Sequence, residues 1–169
     1  YVLLTAFTGT AASNIGGNTL TSAFNFGYGN KFTCISDKDR DQKKLQMKNL
    51  VVVIIDEISF VKADMLYMLS LKLQELKDNK KPFGGVAIYA FGDIFQLQPV
   101  AGRHVFAQPS NPEYYVTYRL GNLWEKLTVV NLTVNHRQGA SGEFSELLNR
   151  ARTLRKGGME EADVKVWKS

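Results

Sequence analysis

Cysteine is nearly missing from this chain: Cys34 stands alone among 169 residues. No disulfide can close within it, and such usage suits a reducing compartment. Histidine is almost as scarce, with only His104 and His136, so a Cys/His zinc constellation is excluded. No apolar run approaches the roughly 20 residues that span a bilayer, so no membrane-spanning helix and no membrane partner are expected. There are no repeats or low-complexity tracts. No G-x-x-x-x-G-K-[ST] loop occurs either; "TGTAASNIGGNT" (8–19) has glycines but no lysine. The opening "YVLLTAF" begins in mid-element without a signal-peptide pattern, as expected of a chain whose beginning lies elsewhere.

What is present fits one globular domain: 44% hydrophobic and 22% charged residues. The net charge of +5 and pI near 9.3 favour an anionic partner. Four short runs rich in β-branched residues read as strands: 1–7, 50–56, 86–93 and 127–134. Their near-continuous apolarity predicts a parallel sheet covered on both faces. Between them, Leu66, Leu69, Leu73 and Leu76 form one helical stripe over 63–77, with Pro82 and Gly84-Gly85 beyond it. Phe144, Leu147, Leu148, Ala151 and Leu154 form another over 142–155, with Ser141 as candidate cap and Gly157-Gly158 as stop. The polar stretch 27–48 reads as a solvated surface insertion. Strands alternating with helices give an α/β domain whose ligands gather at the strands' carboxyl ends.

Three polar clusters sit at such ends. "VVVIIDEISF" (51–60) runs from buried strand straight into Asp56 and Glu57 with no turn residue between. An aspartate there can hold Mg²⁺, and the next acid can polarise an attacking water. "FGDIFQLQPV" (91–100) ends the third run with Gly92, which permits a tight exit, then Asp93 and Gln96. A glutamine at that height can sense a terminal phosphate. "TVNHRQG" (133–139) carries Arg137, whose planar fork of donors suits phosphate oxygens. Taken singly, each has a plain structural reading: solvated acids, an ordinary turn, a surface ion pair.

Taken together, "TAFTGTAASNIGGNTLTSAF" (5–24), "VVVIIDEISFV" (51–61), "FGDIFQLQPV" (91–100) and "LTVNHRQG" (132–139) are similar, in that order, to four successive motifs of the petite-integration-frequency (PIF-type) DNA helicases of superfamily one. The resemblance implies the first RecA-like P-loop NTPase domain of an ATP-driven motor moving 5′-to-3′ on single-stranded DNA. The chain 1–169 would then be that motor domain in part, lacking its P-loop strand. ATP and Mg²⁺ would be the cofactors, single-stranded and duplex DNA the partners. Asp56 would bind Mg²⁺ and Glu57 act as catalytic base. Asp93 would lie at the nucleotide, Gln96 contact the γ-phosphate and couple hydrolysis to movement, and Arg137 serve as an internal arginine finger. Thr5, Thr8, Gly9 and Thr19 would lie on the DNA path. DNA repair, recombination and telomere maintenance, in nucleus or mitochondrion if the source is eukaryotic, are the family's implied settings.

The sequence departs from the family pattern at Phe7, Thr21, Phe60, Ile94 and Gln98, none of them at the four nucleotide positions. The family's P-loop would lie just before residue 1. Two other functions stay open: a nucleic-acid-binding module with a degenerate ATPase site, and a P-loop ATPase acting on proteins. Retention of Asp56 and Glu57 speaks against the first, and the long first motif with Asp93 and Gln96 against the second.

Overall fold

The computed structural model describes residues 1–27, 29, 31–97 and 99–132. The chain divides into two compact units, 1–127 and 128–169, and the sheet and helices of the described residues lie in the first. Four parallel strands form the sheet: β1 (Val2–Ala6), β2 (Asn18–Thr19), β3 (Val52–Asp56) and β4 (Ala87–Ala90). Their order is β2-β1-β3-β4. The three longer strands lie within runs predicted from sequence and are contiguous in the sheet. The helices are α1 (Gly9–Asn14), α2 (Leu20–Phe24), α3 (Asp37–Met47), α4 (Ala63–Lys77) and α5 (Glu113–Val116). This is the parallel α/β sheet, of RecA-like type, that the sequence implied. No described helix is long and apolar enough to cross a membrane.

α4 has the bounds its leucine spacing predicted, and Leu66, Leu69, Leu73 and Leu76 are all buried. The stripe understates it, because Tyr67, Met68, Ser70 and Leu71 are buried too. Val53 and Ile55 of β3 share the core with it on one side, and Tyr114 of α5 and Leu123 extend that core. The helix stops earlier than Pro82 requires. Asp78 turns left-handed at φ 48°, and the following 3₁₀ turn packs Gly84 against the helix backbone. A Cβ on Gly84 would lie 2.4 Å from the Leu73 carbonyl oxygen, so glycine is required there by contact as well as by its φ of 64°.

On the α4 side of the sheet Val53 and Ile55 are buried; on the other side Ala6 is buried, while Val2 and Tyr89 are 49% and 57% exposed. Two expectations need correction. The fourth strand does not form over 127–132, where Val129, Val130 and Leu132 are exposed and no ladder is made. A strand exists only through a paired neighbour, which an apolar run cannot guarantee. Residues 133–134 and the helix expected at 142–155 lie outside the described residues. Finally, the stretch 27–48 is on the surface as expected, but 37–47 is helical. α3 buries none of its residues. It is held by tethers: Lys44 pairs with Asp78 at 2.7 Å, and Lys77 Nζ donates to the Lys48 and Leu50 carbonyls just beyond α3 at 2.8 and 3.0 Å.

Candidate functional site

Sheet register brings the first and second motifs to one edge. Thr19 pairs with Ala6, and Ala6 with Asp56. The row Thr19–Ala6–Asp56 therefore crosses three adjacent strands at their carboxyl ends. With about 4.8 Å between strands, Thr19 and Asp56 lie about 10 Å apart along it.

The chain leaves β3 by an unusual route. Glu57 has φ 55° and ψ 48°, the left-handed conformation that normally calls for glycine. The Asp56 carboxylate accepts the Glu57 amide at 2.9 Å. The Ile58 amide then donates to the Phe91 carbonyl at 2.9 Å, joining the exits of β3 and β4. Gly92 meets that crossing: a Cβ there would lie 2.9 Å from the Ile58 nitrogen, and φ is 152°. The tight exit read from sequence is thus a close approach between two strand ends.

The loop after Gly92 carries Asp93 and Gln96, whose side chains are hydrogen-bonded at 3.1 Å. Its far end is pinned to the start of α4. The Ala63 amide donates to the Arg103 carbonyl at 3.1 Å, and Lys62 and His104 form an antiparallel bridge. Beyond lies a buried carboxylate that sequence reading missed. Asp64, fully buried, accepts from the Ser110 amide at 3.1 Å, the Ser110 hydroxyl at 2.5 Å and the Asn111 amide at 2.9 Å. Its partners are some 46 residues away, so only the "PSNP" turn (109–112) hinted at them.

The four residues expected on a DNA path differ. Thr8 and Thr19 are the N-caps of α1 and α2, accepting from Ala11 and Ser22 amides at 3.2 and 3.1 Å. Thr8 and Gly9 are exposed, and no atom lies within 4 Å of a Cβ built on Gly9. Thr5 is the correction: it is fully buried, and its hydroxyl donates to the Ile54 carbonyl at 2.7 Å. A β-strand alternates its faces, and this position points into the α4-side core. Two of the departures from the family pattern meet. Phe7 and Phe60 stack with centroids 6.0 Å apart and planes at 16°, linking the exit of β1 to the turn after Glu57. Arg137 and Gln98 lie outside the described residues.

No group of three or more His, Cys, Asp or Glu able to hold a metal exists among the described residues. Mg²⁺ needs only one or two carboxylates, its shell being completed by water and phosphate. Asp56 offers such a carboxylate, with Oδ1 occupied by the Glu57 amide and Oδ2 without a hydrogen bond among the described residues.

Comparisons with known proteins bear on the family of the chain. The family model described as PIF1-like helicase matches residues 1–163. The chain is 34% identical over 158 residues to the ATP-dependent DNA helicase PIF1 of Candida albicans, covering 89% of this chain and 17% of that protein. Its structure is similar to that of the Bacteroides Pif1 helicase in complex with ADP-AlF3 and single-stranded DNA. There the TM-score is 0.71 and identity 33%, over 89% of this chain and 36% of the other. A structure of two coordinating Pif1 helicases at forked duplex DNA gives a TM-score of 0.73 and 29% identity, over 99% of this chain and 40% of the other. The chain therefore spans well under half the length of these relatives.

Proposed function

Since the chain belongs to the PIF1-like helicase family, we propose that it forms part of the motor of an ATP-dependent DNA helicase, coupling ATP hydrolysis to 5′-to-3′ movement on single-stranded DNA. The observation that carries this is the convergence of Asp56, Glu57 and the Asp93–Gln96 loop at the carboxyl ends of adjacent parallel strands, in one row with Thr19. Ligands of open α/β sheets bind at that edge.

In this reading Mg·ATP supplies the phosphoryl group and the charge to be stabilised. Asp56 would hold Mg²⁺, which would supply positive charge beside the phosphates. Glu57, thrown out of line by its left-handed backbone, takes the proton of the attacking water. Gln96 faces the same centre from β4's exit. Arg137 is assigned to the γ-phosphate. Thr8, Gly9 and Thr19 offer hydroxyls and approachable backbone to DNA phosphates, a grip indifferent to base sequence; Thr5 supports them from within the sheet. The phosphate-binding loop that this chemistry needs is absent from the 169 residues. The reading assigns its strand to the edge beside β4. Repair, recombination and telomere maintenance are the settings the family suggests.

The test is Glu57→Gln in the full-length protein. ATP binding should persist, while turnover falls by about 10²–10⁴-fold with loss of the general base. Wild-type turnover would remove Glu57 from that role. Absent ATP binding in the parent itself would favour the degenerate DNA-binding module.

A further inference from the structure

The sequence sets Asp93 and Gln96 each toward the nucleotide; the loop gives them a relation to one another. Asp93 Oδ1 accepts from the Phe95 amide at 3.1 Å, and Oδ2 accepts from Gln96 Nε2 at 3.1 Å. The Gln96 amide donates to the Asp93 carbonyl at 3.0 Å. Backbone and side chain of Gln96 are both tied to Asp93. The loop is anchored at both ends, through Phe91 to Ile58 and through Arg103 to Ala63.

An ionised carboxylate only accepts hydrogen bonds. The atom of the Gln96 carboxamide that meets it is therefore the nitrogen, and Oε1 is turned away from Asp93. The two ends of a carboxamide have nearly the same shape, so without such a partner either could lead. Asp93 makes the choice.

We infer that Asp93 is a positioning residue, which holds Gln96 so that its carbonyl oxygen, an acceptor, is what the loop presents to the reacting centre. This rests on the helicase reading above and gives Gln96 a definite task. An acceptor can take an O–H of the attacking water and align the oxygen with phosphorus. It cannot serve a phosphate oxygen, which is itself an acceptor. Nε2 keeps one further hydrogen, so the rival role is a donor to the γ-phosphate, and the two roles respond differently to exchange of the pair.

The experiment measures DNA-stimulated ATP turnover in the full-length protein for Asp93→Asn, Gln96→Glu and the double variant. Asp93→Asn removes the preference for nitrogen. Gln96→Glu sets two carboxylates against each other. Each should lower kcat by about ten- to a hundredfold, as misplacement of a positioning group does, with KM for ATP held within about twofold. In the double variant the amide at position 93 donates to the carboxylate at 96, whose second oxygen is an acceptor facing outward. Recovery to within about threefold of wild type is the expected result. A double variant no better than Gln96→Glu overturns the inference, because position 96 would then need a donor. Unchanged turnover in Asp93→Asn alone overturns it too. Glu57→Gln in the same assay tests the helicase reading separately: wild-type turnover there refutes that reading whatever the pair does.

Discussion

Replacing Asp64 with alanine should loosen the whole segment beyond the Gln96 loop. Asp64 is fully buried in the first turn of α4 and receives three hydrogen bonds, at 3.1, 2.5 and 2.9 Å. Bonds to a charged group contribute about 1.5–3 kcal/mol each, so the gross loss is about 5–9 kcal/mol. Two effects reduce it. Burying the carboxylate itself costs several kcal/mol, which the alanine variant no longer incurs. Ser110 is exposed and Asn111 partly so, and water can reach their freed groups. The net loss is about 2–4 kcal/mol, against a total of about 5–15 kcal/mol for a domain.

A global unfolding curve does not report which segment has loosened. Hydrogen exchange is better, read over 58–66 and 100–115 by mass spectrometry. Asp64→Ala should speed exchange in both segments, at least thirtyfold for about 2 kcal/mol, while β1 and β3 keep their protection. DNA-stimulated ATP turnover should fall with it, since the Gln96 loop loses its outer anchor. Unchanged exchange over 100–115 would refute the claim that Asp64 is a clamp.

Three further outcomes are expected. Gly92→Ala should cost about 2–3 kcal/mol and lower DNA-stimulated turnover, because its Cβ would meet the Ile58 nitrogen at 2.9 Å; thermal melting and turnover check both. A double-mutant cycle of Phe7→Ala and Phe60→Ala should give a coupling of about 0.5–1.5 kcal/mol from the stacked rings, and additive effects would show that the stack contributes nothing of its own. Lys72, buried beneath the Phe32 ring at 5.4 Å, has its pKa lowered by burial from 10.5, with nearby Glu75 opposing. Below that ordinary value the unfolded chain binds more protons than the folded one, so stability rises with pH. The melting temperature of wild type should therefore gain on that of Lys72→Met between about pH 8 and about pH 10.

What could be read from sequence was local. β1, β3, β4 and α4 carry their signals in consecutive residues, and each lies where periodicity put it. The placement of Asp56, Glu57, Asp93 and Gln96 at strand ends was legible because polar groups after buried runs are conspicuous. What was missed depends on distant partners. Asp64 reads as an ordinary acid at a helix start until Ser110 and Asn111 fold against it. Phe7 and Phe60 read as two separate departures until β1 and β3 pair and bring them together. Thr5 looked like a DNA contact because its motif is hydroxyl-rich, but strand alternation turns it inward. The described residues 127–132 belong to a run as apolar as the others, yet no apolar run encodes its own neighbour.

The acids at the end of β3, with no turn residue between them, have an explanation in backbone cost. The chain does turn there, at Glu57 itself, in a conformation that costs an L-residue about 1–2 kcal/mol. Glycine would make the same turn without that cost, and would lose about 0.5–1 kcal/mol through greater freedom in the unfolded chain. Glu57→Gly should therefore leave the fold as stable as before or up to about 1.5 kcal/mol more stable. It should also abolish ATP turnover in the full-length protein, since no carboxylate remains to take the proton of water. A function that needs a side chain at the point where the backbone would prefer none gives this opposition between stability and activity. The measurement is thermal melting beside turnover for Glu57→Gly, Glu57→Gln and wild type. Glu57→Gln keeps the strained backbone and should melt like wild type; Glu57→Gly should melt at the same temperature or higher. A Glu57→Gly variant destabilised by more than about 1 kcal/mol would mean that the glutamate side chain itself holds the turn, and that its left-handed backbone is stabilised by packing rather than retained for chemistry.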